Sequence, residues 1–170
     1  MASPSKLAHI VWKTAQVATM RDWYCNVLEG KVVFENDMMC FLTYDDEHHR
    51  VAFIGIGDGT RPEFGMNGVQ HVAFTYNDMS ELFGTFRRLR DEGIEPFWCV
   101  NHGATTSMYY EDPDGNNIEL QIDNFEDATG VEEWFNLGLH LTNPIGVNFD
   151  PDELMARYEA GEPHEELIKW

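Results

Sequence analysis

The sequence predicts an α+β fold: two tandem βαβββ modules forming one curved mixed sheet around a cavity, followed by a partly helical C-terminal tail. Three observations predict it. Two apolar stretches, Leu7-Ala8-His9-Ile10-Val11-Trp12 and Val69-Gln70-His71-Val72-Ala73-Phe74, read as buried strands with a histidine at the same place in each. Each leads into a helical stretch that stops at a glycine, Gly30 in the first half and Gly93 in the second. The spacing repeats as well: His9 to His71 is 62 residues and Gly30 to Gly93 is 63, so register is kept across a strand and a helix.

In the first module the helix runs from about Thr19 to Leu28, and glycine at its end is expected to supply the positive φ of a helix stop. Three strands follow, at about Lys31–Asn36, Met38–Tyr44 and His49–Ile56. Gly57–Asn67 is the linker. The second module repeats the order: a helix at about Asp78–Glu92, then strands at about Glu95–Val100, Thr105–Glu111 and Asn116–Ile122. Asp112-Pro113-Asp114-Gly115-Asn116 is a turn signal between the last two. Modules at about 6–56 and 68–122 thus fill a domain over 1–124, and 125–170 is the helical extension.

That extension breaks the repeat. Helices are expected at Val131–Leu139 and Pro151–Ala160, the second opened by an Asp150 N-cap and a first-turn proline. Trp134, Phe135, Phe149, Tyr158 and Trp170 are too much aromatic surface to leave in water, so the tail should dock on the sheets, a partner subunit or the mouth of the site.

Composition excludes several function classes. A chain of 170 residues with a 43% hydrophobic fraction can bury a proper core. Eleven basic against 30 acidic side chains give a net charge of −19, which repels nucleic acid and anionic membrane surfaces. No apolar run approaches the ~20 residues of a membrane span. The first residues lack the apolar run of a secretion signal, so a cytoplasmic location is expected. Three cysteines without a CxxC argue against a disulfide framework or zinc knuckle, and Cys25 and Cys40 read as buried thiols.

Two histidines at equivalent repeat positions would face each other across one cavity if the modules pack by pseudo-twofold symmetry. Glu119 is the third candidate. In Asn117-Ile118-Glu119-Leu120-Gln121-Ile122, alternation puts Ile118, Leu120 and Ile122 on one face and Glu119 on the other. A carboxylate in so apolar a strand is costly unless paired or metal-bound. His9, His71 and Glu119 therefore read as ligands of one divalent metal, two imidazoles and a carboxylate being the facial triad of non-haem Fe(II) oxygenases, with Mn(II) the alternative ion.

The paired modules, the strand-one histidines and the run from Tyr109 through Asp112-Pro113-Asp114-Gly115-Asn116 to Glu119 resemble the vicinal oxygen chelate superfamily over about residues 6–124. That superfamily includes glyoxalase I, bleomycin-resistance proteins, fosfomycin-resistance enzymes and type I extradiol catechol dioxygenases. Three features resemble the dioxygenases, in their compact single-domain form. Aligning Val51-Ala52-Phe53 with Ile118-Glu119-Leu120 puts Ala52 where glyoxalase I offers a fourth ligand, and alanine cannot coordinate. His48-His49-Arg50-Val51-Ala52-Phe53 resembles the motif of the extradiol acid/base histidine, which assigns that role to His49, with His48 in reserve because strict alternation puts it on the Ala52 face. Asn101-His102-Gly103 resembles the His-Gly pair that precedes a tyrosine ten residues before the glutamate ligand, which assigns substrate-binding roles to His102 and Tyr109.

The resemblance implies an extradiol dioxygenase that opens the ring of a small catechol-type diol with O₂. A histidine beside the metal would take a diol proton and return it. Another metalloenzyme of the superfamily (isomerase, lyase or epimerase) and a metal-free small-molecule binder are the alternatives. A homodimer is expected, mostly from the resemblance.

Overall fold

A computed structural model describes residues 2–61 and 67–170; residues 62–66 of the expected linker lie outside the described residues. The chain divides into two compact units. One holds the described residues within Met1–Gly68 together with Asp112–Asn116, the other Val69–Glu111 with Asn117–Trp170. No helix among the described residues is long and apolar enough to cross a membrane.

The first unit runs β1 (Ile10–Thr14), α1 (Val17–Val27), β2 (Lys31–Glu35), β3 (Met39–Thr43) and β4 (Val51–Gly55). Its sheet has the order β1-β4-β3-β2, with β1 and β4 parallel and the other pairs antiparallel. Met20, Tyr24 and Val27 recur at helical spacing on α1 and are fully buried. Their partners are on the alternate positions of β3 and β4, among them Leu42 and Phe53, whose ring lies 5.2 Å from that of Tyr24. The Tyr24 hydroxyl donates to Asp112 Oδ2 at 3.0 Å, and Asp112 Oδ1 accepts from the backbone N–H groups of Asp114 and Asn116. Burial pushes the Asp112 carboxyl above its ordinary pKa.

Gly30 stands at the helix stop for a different reason from the one the sequence suggested. The left-handed residue there is Glu29, with φ +49°. Gly30 instead makes a close approach: a Cβ on it would lie 3.3 Å from Leu42 Cδ1 and 3.4 Å from the Thr43 carbonyl. In the second unit Gly93 has φ +78° and is the expected left-handed stop.

The second unit runs β5 (His71–Thr75), α2 (Met79–Asp91), β6 (Trp98–Asn101), β7 (Thr105–Glu111), β8 (Asn117–Asp123), α3 (Ala128–Asn136), a 3₁₀ turn (Leu139–Leu141), β9 (Val147–Asn148), α4 (Pro151–Glu159) and α5 (His164–Leu167). The sheet order is β5-β8-β7-β6-β9. Asp78 caps α2 by accepting from the Glu81 N–H, and Glu81 reaches back to the Asn77 N–H. Leu82, Phe83, Phe86 and Leu89 form the buried face of α2, and Ile118, Leu120 and Ile122 are buried on β8.

The strands thus belong to two mixed sheets, one per module, rather than to the one curved sheet expected. In each module the first strand pairs in parallel with the last and stands at one edge of that module's sheet. Other differences are at boundaries. β6 begins at Trp98 and not Glu95, because Pro96 has no N–H to give the ladder. α3 begins three residues earlier than read, where Asp127 accepts from the N–H groups of Thr129 and Gly130.

The tail packs within the second unit. β9 extends its sheet beside β6, and α4 lies on α2 through ion pairs Arg87–Glu159 and Arg90–Asp152 and the Phe83–Tyr158 ring contact. Trp134 sits over Gly103, whose φ of +87° and missing Cβ both require glycine.

Candidate active site

In the second unit the ladder pairs Ala73 with Glu119, Glu119 with Tyr109 and Tyr109 with Trp98. Directly paired residues point to one face, so Glu119, Tyr109 and Trp98 form a row on the face away from Ile118 and Leu120. His71 opens β5 two residues before Ala73 and shares that face. Its Nε2 lies 2.9 Å from Glu119 Oε2, and its Nδ1 lies beside Gln70 Oε1. Glu119 is only 4% exposed. A buried carboxylate facing an imidazole nitrogen is a donor set that suits a shared cation.

The Tyr109 hydroxyl lies 3.0 Å from His102 Nε2. His102 Nδ1 faces the Ile145 carbonyl, which can only accept, so Nδ1 carries the hydrogen. In the neutral ring Nε2 is then an acceptor for the Tyr109 hydroxyl, which also has Glu119 as a hydrogen-bond partner. Burial, then the Glu119 charge, push the phenol pKa upward, so Tyr109 keeps its proton. Trp98 stacks on Tyr109, ring centres 4.8 Å apart, and its indole N–H donates to Asn148 Oδ1 at 2.8 Å.

The first unit builds a matching row. Val11 pairs with Ala52, Ala52 with Phe41 and Phe41 with Phe34. Val11 stands two residues after His9, as Ala73 stands two after His71, so Ala52 occupies the register of Glu119 and Phe41 that of Tyr109. No carboxylate stands at that point of the first unit.

His9 lies one residue before β1, exposed, its ring centre 4.3 Å from that of His49. His49 stacks on Phe41 at 4.8 Å with planes 17° apart. Because Phe41 is directly opposite Ala52, His49 sits over the face of Ala52. β4 starts at Val51, so strand alternation does not reach the two histidines. His48 is exposed, with its Nδ1 2.6 Å from that of His49. Burial, then the charges of His9 and His48, hold the His49 pKa below its ordinary value, which favours a neutral imidazole.

Of the predicted residues, one unit thus brings together His71, Glu119, Tyr109 and His102, and the other brings together His9, His48 and His49. Within neither unit, among the described residues, are three His, Cys, Asp or Glu side chains grouped to hold a metal. Sequence reasoning missed several neighbours. Arg50 pairs with Asp45 and donates to the Leu7 and Ala8 carbonyls, which fixes the approach to His9. Phe41 and Trp98 could have been found by extending the repeat alignment across the strands; Asn148 and the Ile145 carbonyl give no such signal.

The family described as Glyoxalase/Bleomycin resistance protein/Dioxygenase superfamily matches residues 6–120. A protein from Rhodococcus globerulus named biphenyl-2,3-diol 1,2-dioxygenase 3 is 46% identical over 98% of this chain and 89% of its own length. A second from that organism, biphenyl-2,3-diol 1,2-dioxygenase 2, is 43% identical over 96% of this chain and 86% of its own. The crystal structure of a glyoxalase/dioxygenase from Nostoc punctiforme superposes with a TM-score of 0.60, at 16% identity, over 72% of this chain and 96% of that one, which shows the fold.

Proposed function

The chain belongs to the Glyoxalase/Bleomycin resistance protein/Dioxygenase superfamily, and from that premise we propose that it is an extradiol dioxygenase cleaving the ring of a small aromatic vicinal diol with O₂. The observation that carries this is the row of Glu119 and Tyr109 on one face, with His71 2.9 Å from the carboxylate and His102 3.0 Å from the phenol. The two relatives named as biphenyl-2,3-diol dioxygenases support the same reading. His9, His71 and Glu119 would hold Fe(II), or Mn(II), and the matching registers of the two modules support His9 as the third ligand. When bound, that ion supplies open positions at which the two vicinal oxygens and O₂ meet.

The remaining roles belong to side chains. His49, held neutral, accepts a proton from a diol hydroxyl and returns it later in the turnover. The Tyr109 oxygen, its proton directed at His102, offers its lone pairs to the other diol hydroxyl. Ala52 would leave a bound metal three protein ligands, which favours a site that binds both diol oxygens over one closed by a fourth carboxylate.

The test is O₂ uptake with 2,3-dihydroxybiphenyl by iron-loaded protein. A yellow ring-fission product in step with O₂ is expected. A diol left intact with no O₂ consumed would reject the dioxygenase and favour a superfamily isomerase or lyase. Exposed Leu137, Leu141 and Ile145 on the tail support a homodimer, which sedimentation velocity tests.

A further inference from the structure

The segment Ile145–Asn148 has no counterpart in the repeat, yet it reaches two members of the candidate site. Its carbonyl at Ile145 accepts from His102 Nδ1, and Asn148 Oδ1 accepts from the indole N–H of Trp98. It is held in place at several points. Val147 and Asn148 pair with Asn101 and Val100 as the edge strand. Asn143 brackets Gly146, donating to its carbonyl at 2.7 Å and accepting from its N–H at 3.1 Å. Gly146 has φ +118°, and a Cβ on it would lie 2.2 Å from the Asn101 carbonyl oxygen, so only glycine allows this approach.

We propose that this segment is a positioning strap, with Asn148 acting as a positioning residue through Trp98 on Tyr109, and the Ile145 carbonyl fixing the His102 tautomer that receives the Tyr109 hydrogen bond. The inference rests on the dioxygenase reading for its consequence in turnover, but not for its geometry. A His102 ring with hydrogen on Nδ1 presents a lone pair to Tyr109; the other tautomer would present N–H, and the phenol would have to turn its proton elsewhere. A Trp98 indole tied by its N–H has one orientation against the phenol ring; untied, it has several.

The test uses the full chain. Nitrogen-15 histidine spectra of the metal-free protein, with His102→Gln to assign the signal, should show His102 as the Nδ1–H tautomer. The Trp98 indole proton, assigned by Trp98→Phe, should move toward the solvent-exposed range in Asn148→Ala. In the iron-loaded enzyme Asn148→Ala should lower kcat about threefold to thirtyfold with little change in KM. Asn148→Asp keeps the acceptor oxygen and should restore kcat. Adding Asn148→Ala to Trp98→Phe should cost nothing further. An Nε2–H tautomer in the parent, or an Asn148→Ala protein with parental kcat and an unmoved indole signal, would overturn the strap. A parent that cleaves no diol would reject the dioxygenase reading instead, and the two spectra would still decide the strap.

Discussion

Tyr109→Phe separates what the phenol does for the fold from what it does for the reaction. The substitution keeps the ring, so the stack on Trp98 at 4.8 Å survives and no cavity opens. It removes one hydroxyl, the partner of His102 Nε2 at 3.0 Å and of the Glu119 carboxylate. Leaving a buried acceptor without its partner costs about 1–3 kcal/mol. Because His102 is only half-buried and water can reach it in part, the lower end applies, about 1 kcal/mol. For a chain of this length that lowers Tm by about 2–4 °C. The kinetic loss should be larger. Positioned acid–base groups contribute about 10²–10⁴ in rate. In the proposed role Tyr109 holds a substrate oxygen while His49 carries the proton, so at least about tenfold in kcat, or about 1.4 kcal/mol of barrier, is expected at saturating O₂. Metal content should not change, since the phenol is no ligand. The assay is ring-fission absorbance on 2,3-dihydroxybiphenyl, beside metal analysis and thermal melting of the same preparation. A variant that melts a few degrees lower yet turns over within twofold of the parent would refute the role and leave Tyr109 a packing residue.

His71→Ala should lose stoichiometric iron by elemental analysis, while His49→Ala should retain it and turn over at least about tenfold more slowly; full metal in the first would reject the ligand assignment. Gly103→Ala places a Cβ 1.9 Å from Trp134 at φ +87° and should destabilise the protein by at least about 2 kcal/mol in urea unfolding, whereas a change under about 0.5 kcal/mol would contradict the packing of the tail. Burial pushes the Cys40 thiol up to about 11 and the Cys99 thiol up to about 12, and raises Cys25 as well, so native protein at pH 8 should resist iodoacetamide, with half-exposed Cys25 labelling first and rates rising with pH; rapid labelling of Cys99 would show that the tail opens. Truncation after Asn124 removes β9 and uncovers the β6 edge, and should give a chain that aggregates; a soluble, fully active truncation would show the tail to be dispensable.

The repeat was legible because it rests on strong local signals. Apolar strands with a histidine at one place, glycine at each helix end and an Asp-Pro-Asp-Gly turn each have a mechanism that acts within a few residues. The Glu119 row was legible for the same reason: period-two alternation aims the carboxylate away from Ile118, Leu120 and Ile122, all buried. Alternation failed at His48 and His49 because β4 starts only at Val51, and the stack of His49 on Phe41 follows from the pairing of β3 with β4, which alternation along one strand does not give. Gly30 shows a subtler limit. The stop was placed correctly and its cause was not, because a left-handed φ and a close neighbour leave the same residue in the sequence. The strap is the extreme case. Val147-Asn148 is a two-residue strand amid Asn, Pro and Gly, a composition that reads as loop, and its role depends on a partner strand over forty residues earlier. The group that fixes His102 is a backbone carbonyl, which every residue carries. Ligands announce themselves because only a few side chains can coordinate a metal. Groups that position those side chains can be any donor or acceptor that the fold brings within reach, so only the fold reveals them.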